Sequence, residues 1–341
     1  MLRIVCNSCC DCLYCLRGGV PERPALFELF LNDTMYRHFA GHGPEVGSDL
    51  GPMVMVIDAM AAAGYDYATS QAPGFFFPEA EHEHRSTISI NDRAVITDWE
   101  SYEKYPWPDP EQADYTVFDR IKPYLPEGMK LMVMGPEGVL ENGIKLIGYE
   151  NLCYMLYDDP ELVQAVFDQV GSRLVKYYEY AAGFDTMGFL TSNDDWGFNT
   201  QTFLKPDDMR KYVFPWHKKI VEAAHRNGKP CLLHSCGKFD DVIDDVIDDM
   251  KFDCRHSYED NICPVEDAYE RLHGRIAIAG GIDMNLLASG TPEQVYARSR
   301  AMLERTEGRG GYLLGTGNSV PEYIPLENYC AMTRAALEHD A

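Results

Sequence analysis

The chain has 341 residues, 45% of them hydrophobic and 12% aromatic, which is enough for one large buried core. Lysines and arginines number 30 against 54 aspartates and glutamates, and the formal charge of −24 excludes nucleic acid as a partner. No run of about eighteen apolar residues offers a membrane span, and no apolar stretch near the start has the form of a signal peptide.

Five of the eleven cysteines crowd into the first fifteen residues, namely Cys6, Cys9, Cys10, Cys12 and Cys15, with no histidine close by to complete a metal site. Residues 1–15 are therefore expected to be a frayed extension without catalytic duty, and residues 16–341 a single domain. The remaining cysteines, at 153, 231, 236, 254, 263 and 330, are scattered as in a reduced, cytoplasmic protein. Short strands are expected near Tyr65 to Ser70 and Ala94 to Thr97. From about residue 130 apolar runs alternate with amphipathic stretches: Lys130 to Gly135, Thr186 to Ser192, Pro230 to Cys236, Phe252 to Tyr258, Ile276 to Ile282 and Gly311 to Gly315. Lys205-Pro206-Asp207-Asp208 opens a helix, and Val242 to Met250 carries a helical apolar face fringed by aspartates that belong to a solvated surface. Thr291-Pro292-Glu293-Gln294 combines an N-cap, a proline in the first turn and a reciprocal capping partner. Eight βα units without a linker predict an α/β fold, a (β/α)8 TIM barrel.

In such a barrel the strand C-termini share one face, where chemistry gathers. Those positions hold Glu137 and Glu141, then Asn193, Asp194, Asp195 and Trp196, then His234 and Cys236. They continue with His256, Glu259 and Asp260, then Asp283, then Thr316, Asn318 and Ser319. The sharpest feature is His234-Ser235-Cys236: alternation along a strand turns residues i and i+2 to one side, and imidazole with thiolate is a pair that zinc favours. Asp194, Asp195 and Glu259 are the candidate catalytic acids. Glu137, Asn193, Trp196, Asn199, His256, Asp283, Thr316 and Asn318 are the candidate contacts to substrate or cofactor, although Asp194 and its neighbours could equally cap a helix. The Gly315-x-Gly317 turn lacks dinucleotide-binding spacing and is expected to be a tight strand exit.

Lys229 to Gly237 (KPCLLHSCG), Ile276 to Asp283 (IAIAGGID) and Leu314 to Asn328 (LGTGNSVPEYIPLEN) recur in that order in uroporphyrinogen-decarboxylase-like methyltransferases. Leu16 to Phe30 (LRGGVPERPALFELF) is similar to the opening of the same superfamily, so the resemblance covers everything after residue 15. It is strongest with the corrinoid-dependent branch, which includes methylcobalamin:coenzyme M methyltransferases and the methyltransferase components of O-demethylases. The resemblance implies a uroporphyrinogen-decarboxylase-like barrel, a zinc ion on His234 and Cys236, and a corrinoid cobalt as methyl carrier. It also implies an anaerobic one-carbon metabolism with a small methylated substrate.

The chain departs from the coenzyme M enzymes where they carry a later zinc-binding cysteine, because the matching turn is Gly315-Thr316-Gly317. Glu259 is then the expected third ligand, with His256 the alternative. One thiolate and one carboxylate make a harder zinc than two thiolates, which favours demethylation of a methoxylated compound over thiol methylation. Decarboxylation is disfavoured because Phe27 to Tyr36 lacks the arginines that grip porphyrinogen carboxylates. A zinc hydrolase would show more histidine ligands, and a non-catalytic corrinoid-binding role would follow if zinc were absent. No D-x-H-x-x-G motif is present, so the corrinoid is expected on a separate protein. The oligomeric state is left open, a homodimer included.

Overall fold

The structure, a computed structural model, describes residues 11–46, 48–79 and 94–339. Eight parallel strands form one sheet: β1 (Ala25–Leu26), β2 (Tyr67–Ser70), β3 (Lys130–Met134), β4 (Met187–Asn193), β5 (Cys231–His234), β6 (Cys254–His256), β7 (Ala277–Ala279) and β8 (Tyr312–Leu314). The ladder runs β1-β8-β7-β6-β5-β4-β3-β2, with β2 to β8 each beside a sequence neighbour, β1 beside β8 and helices in the connections, as in a (β/α)8 barrel. Strands covered on both faces become continuous apolar runs, and every residue of β4 is buried.

β1 and β2 stand at the two ends of that ladder, and side chains bridge the seam between them. The Tyr67 hydroxyl accepts from the Glu28 N–H (2.6 Å) and donates to the Glu28 carbonyl (2.6 Å), while the Thr69 hydroxyl donates to the Leu29 carbonyl (2.6 Å). Behind the seam the Glu28 carboxyl is fully buried, held by the Thr316 hydroxyl (2.8 Å) from beyond β8.

Two expectations need correction. Ala94 to Thr97 is not a strand: the Val95 and Ile96 N–H groups donate to the Leu146 carbonyl (2.8 and 2.9 Å), so this segment lies along the end of a helix. The first strand is β1, too short at two residues to show periodicity. The expected fray also ends early, because Asp11–Leu16 is a helix whose Cys12, Cys15 and Leu16 are buried. It lies across the strand starts, where the Cys12 N–H donates to Asp66 (3.1 Å) and the Cys15 thiol to the Tyr312 carbonyl (3.4 Å). Cys6, Cys9 and Cys10 lie outside the described residues.

The helix signals hold where their chemistry is local. Thr291 and Gln294 exchange both capping-box hydrogen bonds ahead of Pro292–Thr306. Five of the six aspartates from 240 to 249 are surface groups paired to cations of neighbouring elements: Asp240 to Arg271, Asp244 and Asp248 to Arg275, Asp245 to Arg210, and Asp249 to Lys218.

Burial pushes the Glu28 carboxyl from 4.5 up to about 8, against the hydrogen bonds from Thr316 and Leu29 that lower it. A folded-state pKa raised in this way gives stability that is complete below 4.5 and lost as pH climbs through about 8. Glu28→Gln, which cannot ionise, should lose that component of the pH dependence. Thermal unfolding midpoints of both proteins across this window would measure it, and parallel curves would show that Glu28 does not carry the slope.

Candidate active site

The ends of β4, β5 and β6 are in register, with Asn193 opposite His234 and His234 opposite His256. Three polar side chains therefore stand abreast at the barrel mouth. β5 ends at His234, and Cys236 follows in the turn, its Sγ 3.9 Å from His234 Nε2. That turn needs Gly237, whose φ is 87° and where a Cβ would collide with the Gly197 carbonyl. Asp195 approaches from β4: its Oδ1 accepts from the Cys236 N–H (2.8 Å) and lies 3.8 Å from His234 Nε2. Ligand atoms of Asp195, His234 and Cys236 all fall within 4.8 Å of one another.

The hydrogen bonds behind His234 assign its tautomer. His256 Nε2 meets the Thr316 carbonyl (3.0 Å), which can only accept, so that nitrogen carries the proton. Burial, and then the neighbouring His234, holds His256 well below the usual imidazole pKa, so its ring is neutral and its Nδ1 is an acceptor. His234 Nδ1, 2.8 Å away, must then be the donor. Burial also pulls His234 down to about 4, leaving Nε2 as a bare lone pair facing Cys236 and Asp195. This is the arrangement of a metal-ligating histidine, with its second nitrogen tied by an outer partner. The Cys236 thiol is pushed up by burial and then by Asp195, so it needs a cation nearby to become a thiolate. A nitrogen, a sulfur and a carboxylate oxygen converging with no positive charge among them fit zinc.

A cavity of about 740 Å³ opens over this cluster, lined by Asn193, Asp195, His234 and Asn318 on one side and by Phe76, Phe77, Met134, Glu137, Glu141 and Lys145 on the other. The Lys145 ammonium is engaged by Glu137 and by Glu79 (3.0 Å). The buried Asn193 Oδ1 has no partner, an acceptor left for a ligand. Asn318 Nδ2 donates to Cys236 Sγ (3.2 Å) and is thus the residue beyond β8 that touches the cluster.

Other sequence assignments fall elsewhere. Asp194 is fully buried and accepts from the Leu140 and Glu141 N–H groups (both 2.9 Å), Trp196 Nε1 (3.0 Å) and His217 Nε2 (2.7 Å). It caps the helix Val139–Ile147 rather than meeting substrate, and Gly138 is required there because a Cβ would run into Asp194. Trp196 is no pocket wall, being enclosed by Phe214, His217 and Phe239 at 5.1 to 5.3 Å. Asn199 is exposed and outside the cavity lining. Asp283 caps the helix Met284–Ser289. Glu259 stands outside the ligand cluster, although Asp195 and Asp283 are close enough to help burial raise its pKa. Thr316 is buried with its hydroxyl turned to Glu28 and to the Asn318 carbonyl, so only its backbone serves the site. Asp195, assigned as a catalytic acid, is the third member of the cluster. The signal for it was parity, since Asn193 and Asp195 share a side by the same rule as His234 and Cys236.

A family model described as uroporphyrinogen decarboxylase (URO-D) matches residues 93–339. The chain belongs to the uroporphyrinogen decarboxylase family. Among curated relatives, a methylated-thiol–coenzyme M methyltransferase of Methanosarcina mazei is 27% identical over 195 residues, 57% of this chain and 49% of that protein. A uroporphyrinogen decarboxylase of Anaeromyxobacter dehalogenans is 26% identical over 193 residues, 55% of this chain and 51% of that one. These matches span about half the length of the relatives. A solved methyltransferase from Methanosarcina mazei superposes with a TM-score of 0.70 at 16% identity, covering 96% of this chain and 98% of that one, which is likeness of fold. The resemblance carried by the KPCLLHSCG, IAIAGGID and LGTGNSVPEYIPLEN segments thus holds at the level of the family.

In this URO-D family member His256→Leu removes the acceptor for His234 Nδ1–H. Zinc affinity in chelator competition should fall on the order of 10- to 100-fold, the usual cost of losing an outer-shell partner. Unchanged affinity would show that His234 is oriented by something else.

Proposed function

We propose that this protein is a methyltransferase moving a methyl group between a small methylated substrate and a corrinoid cobalt, with zinc held by Asp195, His234 and Cys236. The observation that carries this reading is the bare His234 Nε2 converging with Cys236 and Asp195 on the floor of the cavity. Zinc bound there would act as a Lewis acid on the substrate heteroatom. The residues of the chain do the rest. Phe76, Phe77 and Met134 give the methylated substrate an apolar wall, Asn193 offers it an acceptor, and Asn318 steadies the sulfur.

The favoured substrate is a methoxylated compound. The ground for this is no longer Thr316, which faces Glu28, but Asp195, because one thiolate with one carboxylate and one imidazole leaves the metal hard enough for an oxygen leaving group. Thiol methylation is the second reading, supported by the methylated-thiol relative. Decarboxylation of a porphyrinogen fits poorly: among the described residues the lining holds Glu79, Glu137, Glu141 and Asp195 against Lys145 alone, and that lysine is already paired. We further propose a cytoplasmic enzyme served by a separate corrinoid protein. Among the described residues no helix is long and apolar enough to cross a membrane.

Purified protein should hold about one zinc per chain, and Cys236→Ala should lose most of it while staying folded; full retention would remove this site from the account. Cobalt(I) cobalamin with a panel of methoxylated aromatics, methylamines and methyl thiols should turn to methylcobalt(III), read by visible spectroscopy. Turnover of uroporphyrinogen with no such change would reverse the ranking. Thr316→Cys should leave X-ray absorption with a single zinc–sulfur bond, since position 316 faces Glu28. A second sulfur would place residue 316 at the metal.

A further inference from the structure

Among the described residues the cavity lining contains four carboxyl groups, and three have an evident engagement. Asp195 takes the Cys236 N–H and belongs to the metal cluster, while Glu79 and Glu137 share Lys145. Glu141 is left over. It is the third residue of the helix Val139–Ile147, half-buried, with Oε2 accepting from the Gly138 N–H (2.9 Å). Its backbone N–H is fastened to Asp194 Oδ1 (2.9 Å), next in the chain to the cluster residue Asp195. The carboxyl is thus anchored at one oxygen, and among the described residues its other oxygen has no hydrogen-bond partner.

Among the described residues, the carboxylates nearest Glu141 disfavour its ionisation, and the one cation of the lining is engaged by other acids. Asp194 and Asp195 face it from the exit of β4, Glu137 from the loop ahead of its helix, and His234 across the cavity is neutral. Lys145, one turn further along the helix, is engaged by Glu137 and Glu79. Burial first, and then these carboxylates, raise the Glu141 pKa well above the ordinary range. A carboxyl kept neutral at a reaction cavity is equipped to give up a proton there.

We propose that Glu141 is the proton donor of the methyl-transfer step, a catalytic residue that protonates the substrate heteroatom as the methyl group leaves; this rests on the methyltransferase reading above. With an ether substrate the C–O bond breaks and its electron pair stays on oxygen. Cobalt(I) of the corrinoid supplies the pair for the new carbon–cobalt bond and becomes cobalt(III). The Glu141 proton goes to the oxygen, releasing an alcohol or phenol, and the carboxylate regains a proton from solvent. In the reverse direction the same carboxylate takes the proton from the incoming nucleophile.

The test is Glu141→Gln in the full-length protein. Glutamine still accepts from the Gly138 N–H, as it does in any capping box, but has no proton to give. Wild type and variant would be compared on aryl methyl ethers of increasingly acidic phenols, with cobalt(I) cobalamin as acceptor. The variant should be slower by about 100-fold with the least acidic phenol. The deficit should shrink as the phenol becomes able to leave unprotonated, and Glu141→Asp should recover part of it. Wild-type rates should fall as pH rises through the Glu141 pKa, a dependence that the variant lacks. Independently of turnover, the infrared difference between wild type and variant at neutral pH should contain the carbonyl band of an un-ionised carboxylic acid. A deficit that is uniform across the phenols, no deficit, or no such band overturns the assignment while methyl transfer stands. A wild type inert to every donor overturns the methyltransferase reading and this assignment with it.

Discussion

The site depends on a backbone carbonyl. The Thr316 C=O cannot donate, so it forces the proton onto His256 Nε2, and two neutral buried rings then pass that choice on to His234. Nothing at the cavity surface has to specify that His234 presents a bare Nε2; it follows from a chain of hydrogen bonds beneath. The side chain of the same threonine reaches Glu28, behind the seam where β1 and β2 are bridged by Tyr67 and Thr69. Closure of the barrel and orientation of its histidine pair are therefore mechanically continuous. That explains a buried acid at Glu28, which an apolar residue could otherwise replace at lower desolvation cost.

The magnitudes around His234 argue for a cation. Unit charges about 4 Å apart interact by about 4 kcal/mol at an effective dielectric near 20. Asp195 and Cys236 present ligand atoms within 4.8 Å of one another, so a thiolate there would repel the carboxylate by an energy of that order, with Glu141 and Glu137 in the same lining. Without a positive charge the groups are held protonated: burial first, and then the neighbouring carboxylates, push Cys236, Glu141 and Glu259 upward. A divalent ion would return Cys236 to the thiolate form. The same balance disfavours a substrate carrying many carboxylates, for which no unpaired cation stands ready among the described residues of the lining.

The barrel was legible from β3 onward because each strand there is an apolar run followed by a helix signal whose chemistry is local. β1 escaped detection because two ladder residues carry no period, and Ala94 to Thr97 misled because an apolar tetrapeptide beside a helix resembles one in a sheet. At the site, His234 and Cys236 could be paired from spacing alone. Glu259, with His256 as the alternative, is the ligand expected from the next strand end, whereas hydrogen bonding to the Cys236 N–H draws Asp195 in from the preceding one. Thr316 looked like a lost ligand because the match was made along the sequence. The direction of its side chain is set by Glu28, 288 residues away, which no local pattern reports.

Asp194 and Asp195 show why adjacent acids of identical chemistry take different duties. Just past the end of β4, Asp195 turns to Cys236 and Asp194 away from it, where it takes two N–H groups at the start of the helix Val139–Ile147 together with Trp196 and His217. A carboxylate so fully hydrogen-bonded has no capacity left for substrate, yet its position is what makes the cavity rigid. Glu141 hangs from Asp194 by its backbone, Asp195 is joined to Asp194 by a peptide bond, and Asp195 in turn holds the backbone of Cys236. The Glu141 carboxyl and the candidate metal cluster are therefore parts of one hydrogen-bonded frame rather than of separate loops. A proton donor and an electrophilic centre that must act on the same heteroatom gain from that arrangement, because a shift of either by about 1 Å is enough to erode the rate of a positioned reaction.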